Sequence, residues 1–122
     1  MTDRLSLGQI ALLVSYALGM VVGQLLFKLA ALRLPPDGVG SERVLSLVHN
    51  GYFLLALVGY LILAALWVWI LSFTPLSRAY PFAALAFVLT PLLGGLLFGE
   101  ALSFRLLAGV AAIAFGLVLV AG

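Results

Sequence analysis

The chain has 122 residues, of which 66% are hydrophobic and 8% charged, and its mean hydropathy is +1.32. Soluble domains are near half apolar and a quarter charged, so the composition excludes one and predicts an all-α membrane protein. The net charge of +2 rests on very few groups and leaves no footprint for nucleic acid. With no cysteine, disulfides, iron–sulfur clusters and thiolate metal sites are excluded. The single histidine, His49, cannot build a metal site within one chain, and no cofactor is expected.

A bilayer crossing takes about 20 apolar residues. Four crossings use the length and leave no room for a soluble domain, so the chain reads as a single four-helix transmembrane domain over 1–122. Near the N-terminus the uncharged run from Leu5 to Phe27 exceeds the roughly 7–15 residues of a signal h-region. It reads as a retained first span, about 7–32. Gly19 and Gly23 form a small-xxx-small face that lets another helix approach. Gln24 and Lys28 share a face near the far end of this span by their i, i+4 spacing. Lys28 is either an anchor snorkelling to the interface or a functional group.

Residues 33–50 form a loop that is partly interfacial. Pro35-Pro36-Asp37-Gly38 is a turn signature. Ser41 suits an N-cap, and Glu42 favours a helix N-terminus by its charge. A helix running from 42 to 73 would be about 48 Å long against a ~30 Å hydrocarbon core. The stretch 42–50 is therefore expected in the headgroup layer or bent away at Gly51, with His49 and Asn50 interfacial and of no special role.

The second span, about 51–73, carries Tyr52 and Trp69 at positions suited to the two interfaces. Tyr60 falls at mid-membrane, where its hydroxyl needs a partner and where packing is its expected role. In the third span, about 76–98, Pro75 sits at the start, where a missing N–H costs nothing. Pro81 and Pro91 lie inside it and predict kinks, tolerated where protein or a water-filled cavity covers the freed carbonyl. Gly95 and Gly99 form a further close-approach face. The fourth span, about 103–120, has Gly109 and Gly116 seven apart with Ala112 beside them. This uncharged face is predicted to make a dimer interface, giving a dimeric bundle.

Counting crossings puts Arg4, Arg78 and Tyr80 toward the side of the N-terminus. Lys28, Arg33, Arg43, Glu100 and Arg105 fall toward the other side. Two basic groups against four is a slight positive-inside bias toward a cytoplasmic second side.

No catalytic constellation is visible: there is no paired-carboxylate site, no nucleophile–base pair and no phosphate loop. The chain is not read as an enzyme. Ionisable groups at membrane depth are functional candidates because burying them is costly. Lys28, Arg78 and Glu100 qualify, and Lys28 and Glu100 share a side and could pair.

Gly23-Gln24-Leu25-x-x-Lys28-x-Ala30, then Leu66-Trp67, then Pro75-x-x-x-Ala79-Tyr80-Pro81 together resemble the drug/metabolite transporter superfamily in its four-helix, small multidrug resistance-like form. The resemblance covers nearly the whole chain outside residues 33–50. Within that superfamily the chain is most similar to the subunits that flip undecaprenyl-phosphate-linked aminoarabinose. The small multidrug resistance transporters are a more distant match. Gly23 and Lys28 match a glycine and a lysine of the multidrug exporters, Tyr80 matches their third-helix tyrosine, and Gly109 and Gly116 match their dimer glycines. Their proton- and substrate-binding glutamate is Met20 here, and a tryptophan of their cation site is Ala83. The resemblance thus implies the scaffold and the dimer face without the cationic-drug site.

The expected function is a flippase of a polyprenyl-phosphate-linked sugar or similar anionic glycolipid in the bacterial inner membrane. Gln24, Lys28, Arg78, Tyr80 and Glu100 are its candidate substrate-binding residues. Gln24, Lys28, Arg78 and Tyr80 are donors and cations suited to phosphate and sugar hydroxyls, and the apolar faces suit a polyprenyl tail. The partner is a second copy or a paralogous four-helix subunit. Two other readings stay open: a small-solute or multidrug exporter, which the missing glutamate opposes, and a non-transporting accessory subunit of a glycolipid-modifying complex.

Overall fold

The computed structural model describes residues 5–35 and 40–121. The turn expected over Pro36, Asp37 and Gly38 and the position of Arg4 lie outside them. Four segments are long and apolar enough to cross a membrane: Leu7–Leu32, Gly51–Leu71, Leu76–Phe98 and Phe104–Ala121. The first is helix α1. A short helix α2, Gly40–Val48, precedes the second crossing, α3, Gly51–Leu71. The third crossing is broken into α4 (Leu76–Ala79), a 3-10 turn over Tyr80–Ala83 and α5 (Ala84–Phe98). The fourth is α6, Phe104–Ala121.

Local chemistry sets the boundaries. Ser6 accepts from the Gln9 backbone N–H while the Gln9 side chain accepts from the Ser6 N–H, a reciprocal capping box that starts α1. The Asn50 side chain accepts from the Tyr52 and Phe53 amides and starts α3. Pro75 stands ahead of α4 with an extended backbone. Pro81 falls in the 3-10 turn, where a tighter winding replaces the α-helical bonds it interrupts. Gly99 ends α5 at φ 66°, the left-handed conformation that favours glycine. Its role is therefore a C-cap, not the close-approach face expected of it with Gly95. Gly95 does make such a contact, since a Cβ there would meet the Leu102 side chain at 2.6 Å. Ser41 lies inside α2 and not ahead of it, because the helix already begins at Gly40.

Helix α1 is the centre, packed between α3 on one side and α5 on the other, with α6 against α5. The small face of α1 is used as its spacing predicts. A Cβ on Gly19 would lie 2.8 Å from Leu63, and one on Gly23 would lie 2.6 Å from the Tyr60 ring, so bare backbone lets α3 settle there. Two side-chain amides fix the ends of this pair. Near the start of α1, Gln9 Nε2 donates to the Phe73 carbonyl and to Thr74 Oγ1, both at 3.1 Å. At its other end, Asn50 Nδ2 donates to the Ala30 carbonyl at 2.9 Å. Asn50 is buried at 7% exposure, and its bonds to backbone groups of both helices correct the expectation that it has no special role.

The best-buried cluster, Leu13, Ile70, Ala79 and Phe82, sits where α1, α3 and the broken third crossing meet. Outward faces carry exposed Leu61, Ile62, Phe87, Leu96 and Val118. Such a belt in four crossings is a lipid-facing surface, where apolar exposure costs nothing.

Candidate functional site

Helices α1 and α5 do not close against each other along their whole length. Between them runs a groove in two adjoining parts, of about 400 Å³ toward the α5 C-terminus and about 280 Å³ toward its N-terminus. Gln24, Thr90 and Pro91 line both parts, so the two are continuous. The inner part is apolar, with Met20, Ala83, Ala86 and Phe87 in its walls. Phe87 is also exposed to the outside at 67%, so the groove is open along a side that faces lipid.

At the outer mouth, Lys28 Nζ lies 3.2 Å from Glu100 Oε2, and the two side chains are about half exposed. Lys28 reaches there from α1, and Glu100 follows the left-handed Gly99 that turns the chain out of α5. The carboxylate also rests on buried Gly94, where a Cβ would come within 2.8 Å of Glu100 Oε1. One oxygen thus faces the lysine and the other lies on bare helix backbone.

Deeper in, the polar groups form a short chain. Gln24 Nε2 donates to the Tyr60 hydroxyl at 2.8 Å, and that hydroxyl donates to the Met20 carbonyl at 3.1 Å. The Tyr60 ring is stacked on Phe27 at 5.2 Å. The α5 wall carries one buried side-chain group without a partner and one helical bond that cannot form. Thr90 Oγ1 is buried without a hydrogen bond among the described residues. Pro91 has no N–H to offer the Phe87 carbonyl four residues earlier. The groove wall therefore carries unspent acceptor and donor capacity, which a ligand can use.

Of the expected substrate residues, the structure brings Gln24, Lys28 and Glu100 together on this groove. It places Arg78 and Tyr80 at the opposite end of the bundle. Arg78 Nη1 donates to the Val120 carbonyl at 3.1 Å, holding the end of α6, a favourable place for a cation. Tyr80 is 65% exposed, with its ring edge-on to Trp67. About 18 helical residues separate the two ends, or ~27 Å, so the arginine and the lysine of one chain cannot share a phosphate. Gly109 and Ala112 are exposed and Gly116 partly so, and among the described residues nothing lies within 4 Å of a Cβ at either glycine.

Thr90 lines the groove, and Tyr60 bonds to its lining residue Gln24 from α3, without either having been singled out as a substrate residue. The signals were present in the sequence. A mid-span tyrosine hydroxyl needs a partner, and Gln24 on the neighbouring small-residue face could supply one. A threonine directly before an intrahelical proline marks a wall with unpaired backbone.

These features define a class: an all-α membrane protein of four crossings, with a lipid-side groove, an ion pair at its mouth and no acidic residue within any crossing. The chain is 33% identical over 109 residues to the probable 4-amino-4-deoxy-L-arabinose-phosphoundecaprenol flippase subunit ArnF of Photorhabdus laumondii subsp. laumondii, a match covering 83% of this chain and 86% of that relative. The chain belongs to the family of ArnF flippase subunits. No protein-family model matches it, and no solved structure does.

Proposed function

We propose that the chain is a subunit of a flippase that moves a polyprenyl-phosphate-linked sugar across the bacterial inner membrane, acting as a transporter and not as an enzyme. The observation that carries this reading is the similarity to ArnF over most of both chains. The groove between α1 and α5 supports it. Its mouth offers a cation to a phosphate, its wall offers amide and hydroxyl groups to a sugar, and its apolar inner part borders lipid, where a polyprenyl chain can stay.

In this reading Lys28 is the phosphate partner, released from Glu100 when the head group arrives, and Gln24 and Thr90 meet the sugar. Arg78 and Tyr80 serve the opposite rim, reached by the head group at the other end of its passage. The working unit is a dimer with a second copy or a paralogous subunit, formed through Gly109, Ala112 and Gly116. A proton-coupled drug exporter is disfavoured, since Met20 stands where a mid-membrane acid would be needed and contributes only its carbonyl to Tyr60.

The test is transfer of a polyprenyl-phosphate-linked amino sugar across proteoliposomes holding the purified chain with whatever subunit copurifies. Transfer well above protein-free vesicles is expected, with Lys28→Ala lowering it about tenfold or more while folding is retained, in line with the ~1.5–3 kcal/mol of a charged hydrogen bond. Transfer no faster than in empty vesicles would overturn the reading.

A further inference from the structure

Glu100 is hard to account for in a mouth built for an anion alone. Among the described residues Lys28 is the only lysine or arginine lining that part of the groove, and Glu100 holds it at 3.2 Å. A phosphate arriving there must displace a carboxylate and then lie beside it, with like charges a few ångströms apart. The acid borders the groove wall: one oxygen faces Lys28, and the other lies against bare Gly94, where a Cβ would come within 2.8 Å of it. It lines the mouth together with the lysine.

The conflict disappears if the head group carries both charges. We infer that Glu100 is a specificity-determining residue, recognising a cationic amine on the sugar while Lys28 takes the phosphate, so that the ion pair is exchanged for two new ones. This rests on the flippase reading above. With the groove empty, Lys28 and Glu100 neutralise each other and neither charge is left bare near the membrane. With a zwitterionic head group bound, each finds an opposite partner and the mouth stays neutral. A purely anionic glycolipid satisfies only the lysine and leaves the carboxylate uncompensated. A sugar ring holding its amine and its phosphate on opposite carbons separates them by more than 3.2 Å, so the pair must open on binding. Both side chains are about half exposed, and Glu100 sits on the chain just beyond the last turn of α5, so neither is packed against opening.

The experiment is a binding titration of the full chain, with its copurifying subunit, in nanodiscs. Three probes are used: a polyprenyl-phosphate-linked amino sugar, its N-acetylated analogue, and the same lipid with an uncharged sugar. The wild type is expected to prefer the free amine by about tenfold, equivalent to ~1.4 kcal/mol. Glu100→Gln should bring that ratio close to one while the N-acetylated and uncharged lipids bind at least as well as before. Their binding also reports that the variant is folded. Glu100→Asp should keep part of the preference, and Lys28→Ala should weaken all three lipids together. An undiminished preference in Glu100→Gln, or no preference in the wild type, overturns the role of Glu100 and leaves the flippase reading intact. Failure of all three lipids to bind the wild type overturns both.

Discussion

Tyr60 shows how one missing side chain places another. Its ring occupies the space that a Cβ on Gly23 would need, and its hydroxyl is fixed from both sides by Gln24 and the Met20 carbonyl. The ring cannot swing away, since its face is stacked on Phe27. Gly23→Ala is therefore expected to destabilise the fold by about 1–3 kcal/mol, the usual cost of overpacking. Gly8→Ala, where the nearest atom to a new Cβ is Ser6 Oγ at 3.8 Å, should cost much less. Combining Gly23→Ala with Tyr60→Leu should recover most of the loss. Unfolding in mild detergent measures all of these, and no recovery in the double variant would mean that Gly23 is needed for a contact other than Tyr60.

At the scale of elements, Asn50 does two separable things. Its carbonyl oxygen caps α3 and its amide nitrogen ties α3 to the end of α1. Asn50→Ser keeps a capping oxygen but has no amide to reach Ala30, whereas Asn50→Ala loses both. Losing an N-cap costs about 1 kcal/mol, and a lost buried bond adds a similar amount. The alanine variant should thus unfold more readily than the serine one, with faster amide exchange at Tyr52 and Phe53 in the alanine variant alone. Much at this scale was readable from the sequence. Long uncharged runs mark the crossings, because a bilayer requires length and apolarity whatever the packing. Asn50 escaped because its two bonds depend on where Ala30 lies in space, which no local pattern states. Ser6 and Gln9 were within reach, as a serine followed three residues later by glutamine is a start signal in itself. Of the groove, Lys28 and Glu100 could be put on one side by counting crossings. Thr90 needed the packing of α1 against α5, and the tie of Gln24 to Tyr60 needed that of α1 against α3.

For the molecule as a whole, α6 is the least embedded crossing, with Val110 its only buried residue. Among the described residues nothing lies within 4 Å of a Cβ built on either of its bare glycines, which fits a helix whose packing partner comes from another subunit. Small residues permit the close backbone approach that holds helices together in lipid, so Gly116→Leu is expected to abolish crosslinked dimers in detergent while the monomer keeps its helicity. Crosslinking at the wild-type level would place the contact on another face.

The side opening between α1 and α5 also decides what is not measured by the protein. A hydrocarbon tail that remains in the bilayer throughout is never transferred to a new environment, so its length adds nothing to the barrier. Only the passage of the head group is then rate-determining. Lipids carrying half as many isoprene units should cross at nearly the same rate in proteoliposomes as the full-length ones. A rate that fell steeply with each unit removed would mean that the tail is gripped along its length. On the open-sided geometry, this small bundle needs only to shelter a sugar phosphate and can leave the rest of a very long molecule to the membrane.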